Sequence, residues 1–152
     1  VVVAVIWRLL ESMHGHLGVL AAVALLHPAI LLRRGLPLSR GGRWAVGLTG
    51  VVTALAFGLG VGIYEAYREL VKRSLFQADR EVGLLFETKE HLAWAVVSLA
   101  VGGVAAAFLA GPRDRDLRRG AALAFALAAL LCFVVVGLGT YVASVRSFPE
   151  PG

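Results

Sequence analysis

The residues in this chain best able to do chemistry are four histidines, His14, His16, His27 and His91. A coordinating or ionisable side chain within a long apolar run is costly to desolvate and calls for a partner. His14 and His16 fall near the start of the first apolar run, and His91 opens the third. Where those two runs cross a membrane in the same direction, His14 or His16 is level with His91. Two imidazoles at one height on two helices can hold a haem iron from both sides, six-coordinate and suited to electron transfer.

Only one of His14 and His16 can face a bundle interior, because neighbours two apart on a helix point about 200° from each other. His14 shares its face with Gly18, Ala21 and Leu25, whereas His16 lines up with Val19, Leu20 and Val23. The small-residue face favours His14 as the ligand, with His16 as the alternative. His91 begins a face with Ala95, Ser98, Gly102 and Ala105 or Ala106, which reads as the packing side of its helix. Arg68, Lys72 or Lys89 could then meet the propionates of a haem. A zinc or copper site is the lesser variant, with Glu87 or Glu90 as extra ligands. The plainer reading of His14, His16 and His91 is residence in the wet headgroup layer.

His27 lies eleven residues beyond His16, on the same face and about 16 Å away. The second and fourth runs hold no histidine, so a second haem lacks a ligand, and His27 is left to bond a neighbouring group or a partner subunit. Tyr64 and Tyr67 beside Arg68 suggest a quinone or haem-edge contact, although interfacial aromatics commonly act as anchors. Trp7, Trp44 and Trp94 fall near the same boundaries.

The elements that carry these residues follow from composition. The chain has 152 residues, 59% hydrophobic and 16% charged, with a mean hydropathy of +0.79, well above the soluble range. A spanning helix needs roughly 20 apolar residues. Four runs qualify, at about 12–32, 44–64, 91–111 and 120–145, and none holds Lys, Arg, Asp or Glu. They are continuous and rich in Ala, Leu, Val and Gly, unlike the alternating strands of a barrel. The expected fold is all-α, a single transmembrane four-helix domain over 1–152.

Between the second and third spans, Tyr64, Tyr67, Val71 and Leu75 recur at helical spacing, as do Val82, Leu85, Phe86 and Lys89 after a break near Gln77–Arg80. The second and third helices should therefore extend beyond the bilayer as a hairpin, residues 65–90, protruding roughly 15 Å. Phe148 to Gly152 reads as an unstructured tail. Glycines and other small residues in the spans, including Gly47, Gly50, Gly58, Gly60 and Gly62, allow close helix packing.

Arg33, Arg34, Arg40 and Arg43 crowd the first connection, and Arg113, Arg115, Arg118 and Arg119 the third. The positive-inside rule puts both on the cytoplasmic side, with both termini outside, as in a multi-pass protein of a bacterial inner membrane. The formal charge of +5 is thus a topology signal, and nucleic acid is not an expected partner. The lone Cys132 lies within the fourth span and excludes an internal disulfide. The chain opens on Val1 rather than Met, which suits a processed or partial protein. There is no P-loop, GxSxG or HExxH sequence to support an ATPase or hydrolase.

Four spans with the His14 or His16 and His91 pair make the chain resemble the small four-helix membrane b-type cytochromes. That resemblance implies an electron-transfer subunit with one b-type haem near the outer face, exchanging electrons with outer-side redox subunits or a quinol. From a different class, the small-residue faces suit a cofactor-free accessory subunit of a larger respiratory or photosynthetic complex.

Overall fold

The structure is a computed structural model and describes residues 2–149. Four long helices form an antiparallel bundle. Helix α1 spans Val2–Leu32, and α2 spans Arg40–Tyr67. A π-helical turn, Arg68–Lys72, carries α2 without a break into the short α3, Arg73–Ala78. Helix α4 covers Arg80–Leu109 and α5 covers Arg115–Val145. The four helical rods are each long and apolar enough to cross a membrane.

The hairpin turn is made by one residue. Asp79 leaves the helical region with φ −153° and ψ 105°, and its carboxylate accepts from the backbone N–H groups of Glu81 and Val82 at 2.9 and 3.2 Å. Two of the orphan donors that open α4 are thereby satisfied. At the other end of the molecule Ser39 caps α2, its hydroxyl accepting from the Gly42 N–H at 3.1 Å.

Around the bundle, α1 touches α2 and α5, and α4 touches α5 and α2, so α1 and α4 stand on a diagonal. The core between them is built of small side chains. Ala21, Ala22, Ala100, Ala121, Ala128 and Ala129 are buried around Leu25 and Phe125. The Phe125 ring lies against Gly103, where a Cβ would come within 3.1 Å of it. In lipid no hydrophobic effect draws helices together, so close backbone approach and dispersion must do so.

Pro28 tests that packing, because it removes the N–H that would have bonded the carbonyl of Ala24. Helix α2 repairs the gap. The buried hydroxyl of Thr49 lies 3.3 Å from the Ala24 carbonyl and 2.9 Å from its own Ala45 carbonyl, and one proton serves both. Such repair by a neighbouring hydroxyl is how a spanning helix tolerates proline.

A second apolar cluster lies at the hairpin end. Tyr67, Val71, Leu75, Val82 and Phe86 pack with Val142 and Phe148, and Trp7 closes over them. Phe148 is only 3% exposed, stacked at 6.0 Å on Trp7 and edge-on at 5.5 Å to Tyr67. The reading of an unstructured tail is corrected at this residue: its large apolar ring finds a ready slot between α1 and the hairpin. Residues 150–152 lie outside the described part.

Candidate functional site

Of the four imidazoles, His14 is the one turned inward. Its Nδ1 lies 2.9 Å from the Ala56 carbonyl of α2, and its ring rests on Gly60, where a Cβ would come within 2.7 Å of Cε1. The bond sets the tautomer, Nδ1 carrying the proton that it donates. The ring is thus clamped between α1 and α2, and its flank is helix backbone.

His91 departs from the sequence reading. Its side chain is exposed, and Nδ1 donates to the Glu87 carbonyl at 2.7 Å, one turn back on α4. Of the face read as the packing side, Ser98, Gly102 and Ala105 are exposed while Ala95 and Ala106 are half-buried, Ala106 against the core; Val96, Ala100, Gly103 and Ala107 are the buried ones. The two rings are thus placed differently, His14 against the backbone of α2 and His91 on the outer side of α4, diagonally across the bundle.

His16 is also exposed, with Nδ1 2.7 Å from the Ser12 carbonyl, and His27 is exposed farther along the same face of α1. Arg68, expected at a propionate, is an exposed residue of the π-helical turn that pairs at 3.6 Å with Glu65. Among the described residues no three His, Cys, Asp or Glu side chains converge as metal ligands do.

Glu87 and Glu90, the reserve ligands of the sequence reading, converge on an ammonium instead. Lys72 Nζ lies 3.2 Å from Glu90, 3.4 Å from Glu87 and 3.4 Å from the Tyr64 hydroxyl. It also sits 5.3 Å from the centre of the Phe86 ring. Burial alone would lower the pKa of this amine, but the Glu90 carboxylate and the bonds to Tyr64 and Glu90 raise it above the ordinary lysine value. Lys72 thus ties the outgoing limb of the hairpin to the returning one. Lys89 also lies over Phe86, 4.6 Å from its centre, with its stem 3.5 Å from where a Cβ on Gly139 would be. Glu11 accepts from the Ser147 hydroxyl at 2.6 Å and ties α1 to the segment that follows α5.

At the opposite end one arginine behaves unlike its neighbours. Arg118 is 2% exposed and donates through Nε to Gly35 O at 2.8 Å, through Nη1 to Gly111 O at 2.6 Å and through Nη2 to Pro112 O at 3.2 Å. It locks both arginine-rich connections together. The sequence reading counted it as a topology charge; the i+3 and i+4 apolar residues Ala121 and Ala122, buried beside it, were the available sign that Arg118 faces inward.

No protein-family model, curated protein or solved structure matches the chain.

Proposed function

We propose that the chain is a structural subunit of a larger membrane assembly, packing laterally against other membrane-embedded chains. The observation that supports this is His27. It stands on α1 about 8 Å inside the apolar run, counted from Leu32 at ~1.5 Å per residue, and its imidazole faces out of the bundle. Polar side chains at such depth face a protein interior or a water-filled cavity, because lipid offers them no hydrogen bond. An outward imidazole is accounted for when a second chain covers it.

An electron-transfer role has its own support in the remaining rings. His16 and His91 each give Nδ1–H to a carbonyl one turn back, which leaves Nε2 as the lone-pair nitrogen of an exposed imidazole. A b-type haem would then be shared with a partner chain, since the two faces point away from each other across the diagonal.

Isolation from the native membrane in mild detergent, followed by a reduced-minus-oxidised spectrum and pyridine extraction, tests both. A colourless assembly with discrete partners, weakened by His27→Leu, is the expected outcome. Sharp b-type bands lost on His16→Ala or His91→Ala would move the role to electron transfer. A solitary, colourless chain would sink both.

A further inference from the structure

The two ends of the bundle differ in charge more than the total suggests. Eight arginines against Asp114 and Asp116 give the loop-33–39 and loop-110–114 end, with the adjoining first turns, a formal +6, while the seven remaining basic and eight remaining acidic residues leave −1 elsewhere. All eight of those cations are Arg. A charge bias is met equally well by Lys, whereas the planar guanidinium fork matches phosphate oxygens in pairs. Arg118 is consumed by three carbonyls, and Arg119 pairs with Asp116 at 3.6 Å.

Arg40 and Arg43 are different, being exposed on the first turn of α2, and among the described residues neither pairs with a carboxylate. Arg43 is held 5.3 Å over the ring of Phe108 on α4, which fixes it at the edge between the two helices. Trp44 follows, 68% exposed, and below it Leu48, Val51 and Leu55 continue the same face at helical spacing, all exposed. From the end of the helix downward the face thus reads cation, interfacial indole, aliphatic ridge. That order matches a phospholipid molecule from headgroup to acyl chain.

We propose that the Arg40–Arg43–Trp44 face of α2, at its edge with α4, binds an anionic phospholipid, the guanidinium groups taking the phosphate and Leu48, Val51 and Leu55 lying along an acyl chain. The binding does not depend on which larger assembly the chain joins.

Native mass spectrometry of the full chain in neutral detergent tests it, with phosphatidylglycerol and phosphatidylcholine of identical acyl chains as probes, and inorganic phosphate as a third. Phosphatidylglycerol should bind about tenfold or more tightly than phosphatidylcholine, and the double variant Arg40→Gln/Arg43→Gln should abolish that preference. Arg68→Gln, at the far end, should keep it. Arg40→Lys/Arg43→Lys retains charge and folding and should lose part of the preference. Equal binding of the two lipids, or an unchanged preference in both double variants, would overturn the proposal. Phosphate competing as well as the lipid would reassign the site to a free anion, and retention of a protein in place of lipid would reassign the face to a partner chain.

Discussion

The ring of His14 lies against the bare backbone of Gly60, Cε1 nearest, and its Nδ1 donates to the Ala56 carbonyl one turn earlier on α2. The polar group that most resembles a ligand in the sequence is therefore, in the fold, a bond between two helices. Gly60→Ala would drive a methyl group to within 2.7 Å of Cε1, and overpacking of this kind costs about 1–3 kcal/mol. Thermal unfolding in detergent should show that loss, while Gly58→Ala, which meets open space, should be near neutral. His14→Ala in the Gly60→Ala background should recover part of the loss, a coupling a double-mutant cycle reads directly.

Arg118 joins connections separated by some eighty residues, and its three acceptors are backbone carbonyls that no side-chain change can remove. Arg118→Ala should cost about 3 kcal/mol, since charged hydrogen bonds contribute roughly 1.5–3 kcal/mol each and leave acceptors exposed to partial solvation. Arg119→Ala, more than half exposed, should stay within about 0.5 kcal/mol. Gly35→Ala strikes the same lock from the other side, because Gly35 has φ +66° and an added Cβ would come within 2.8 Å of the Arg115 carbonyl. Melting temperatures of the three variants check the ranking.

Thr49→Val keeps the shape of the side chain and removes the proton that covers the Ala24 carbonyl opposite Pro28. Hydrogen bonds between membrane helices average about 0.6 kcal/mol, with a ceiling near 1.7. The loss should fall at the upper end because the acceptor has no intrahelical donor. Pro28→Ala should make Thr49→Val nearly harmless, and unfolding of the four combinations measures it.

Lys72→Met should free the hairpin without unfolding the bundle, raising amide exchange across residues 68–80 while the spans stay protected. The raised amine of Lys72 gives the ion cluster a pH signature. A cation whose folded pKa lies above its unfolded value stabilises fully below the unfolded pKa. That contribution is lost as the pH rises through the folded one. Hairpin protection should therefore hold at neutral pH and weaken in strongly alkaline solution.

Phe148→Ala should cost about 3 kcal/mol, as for other buried Phe truncations, and should expose Trp7, whose ring it covers. A red shift of tryptophan emission together with a lowered melting temperature would register both. An unchanged spectrum would mean that the ring contributes little to closing the hairpin cluster.

The sequence by itself determined the number of helices, the continuation of two of them into a hairpin and a break within Gln77–Arg80, because long apolar runs, helical spacing and turn residues are local properties. Which face of each helix turns inward was decided only by the tertiary structure. In a soluble helix the polar side marks solvent, but lipid is as apolar as a protein core, so both sides of a spanning helix look alike. Small residues therefore do not mark the packing side of α4: Ser98, Gly102 and Ala105 face outward, and Ala100, Gly103 and Ala107 pack. His91 went out with that face, and His14 came in because Gly60 on α2 left it room. Arg118 and Thr49 were hidden for the complementary reason, since their acceptors are backbone carbonyls, which every residue carries and no sequence pattern marks.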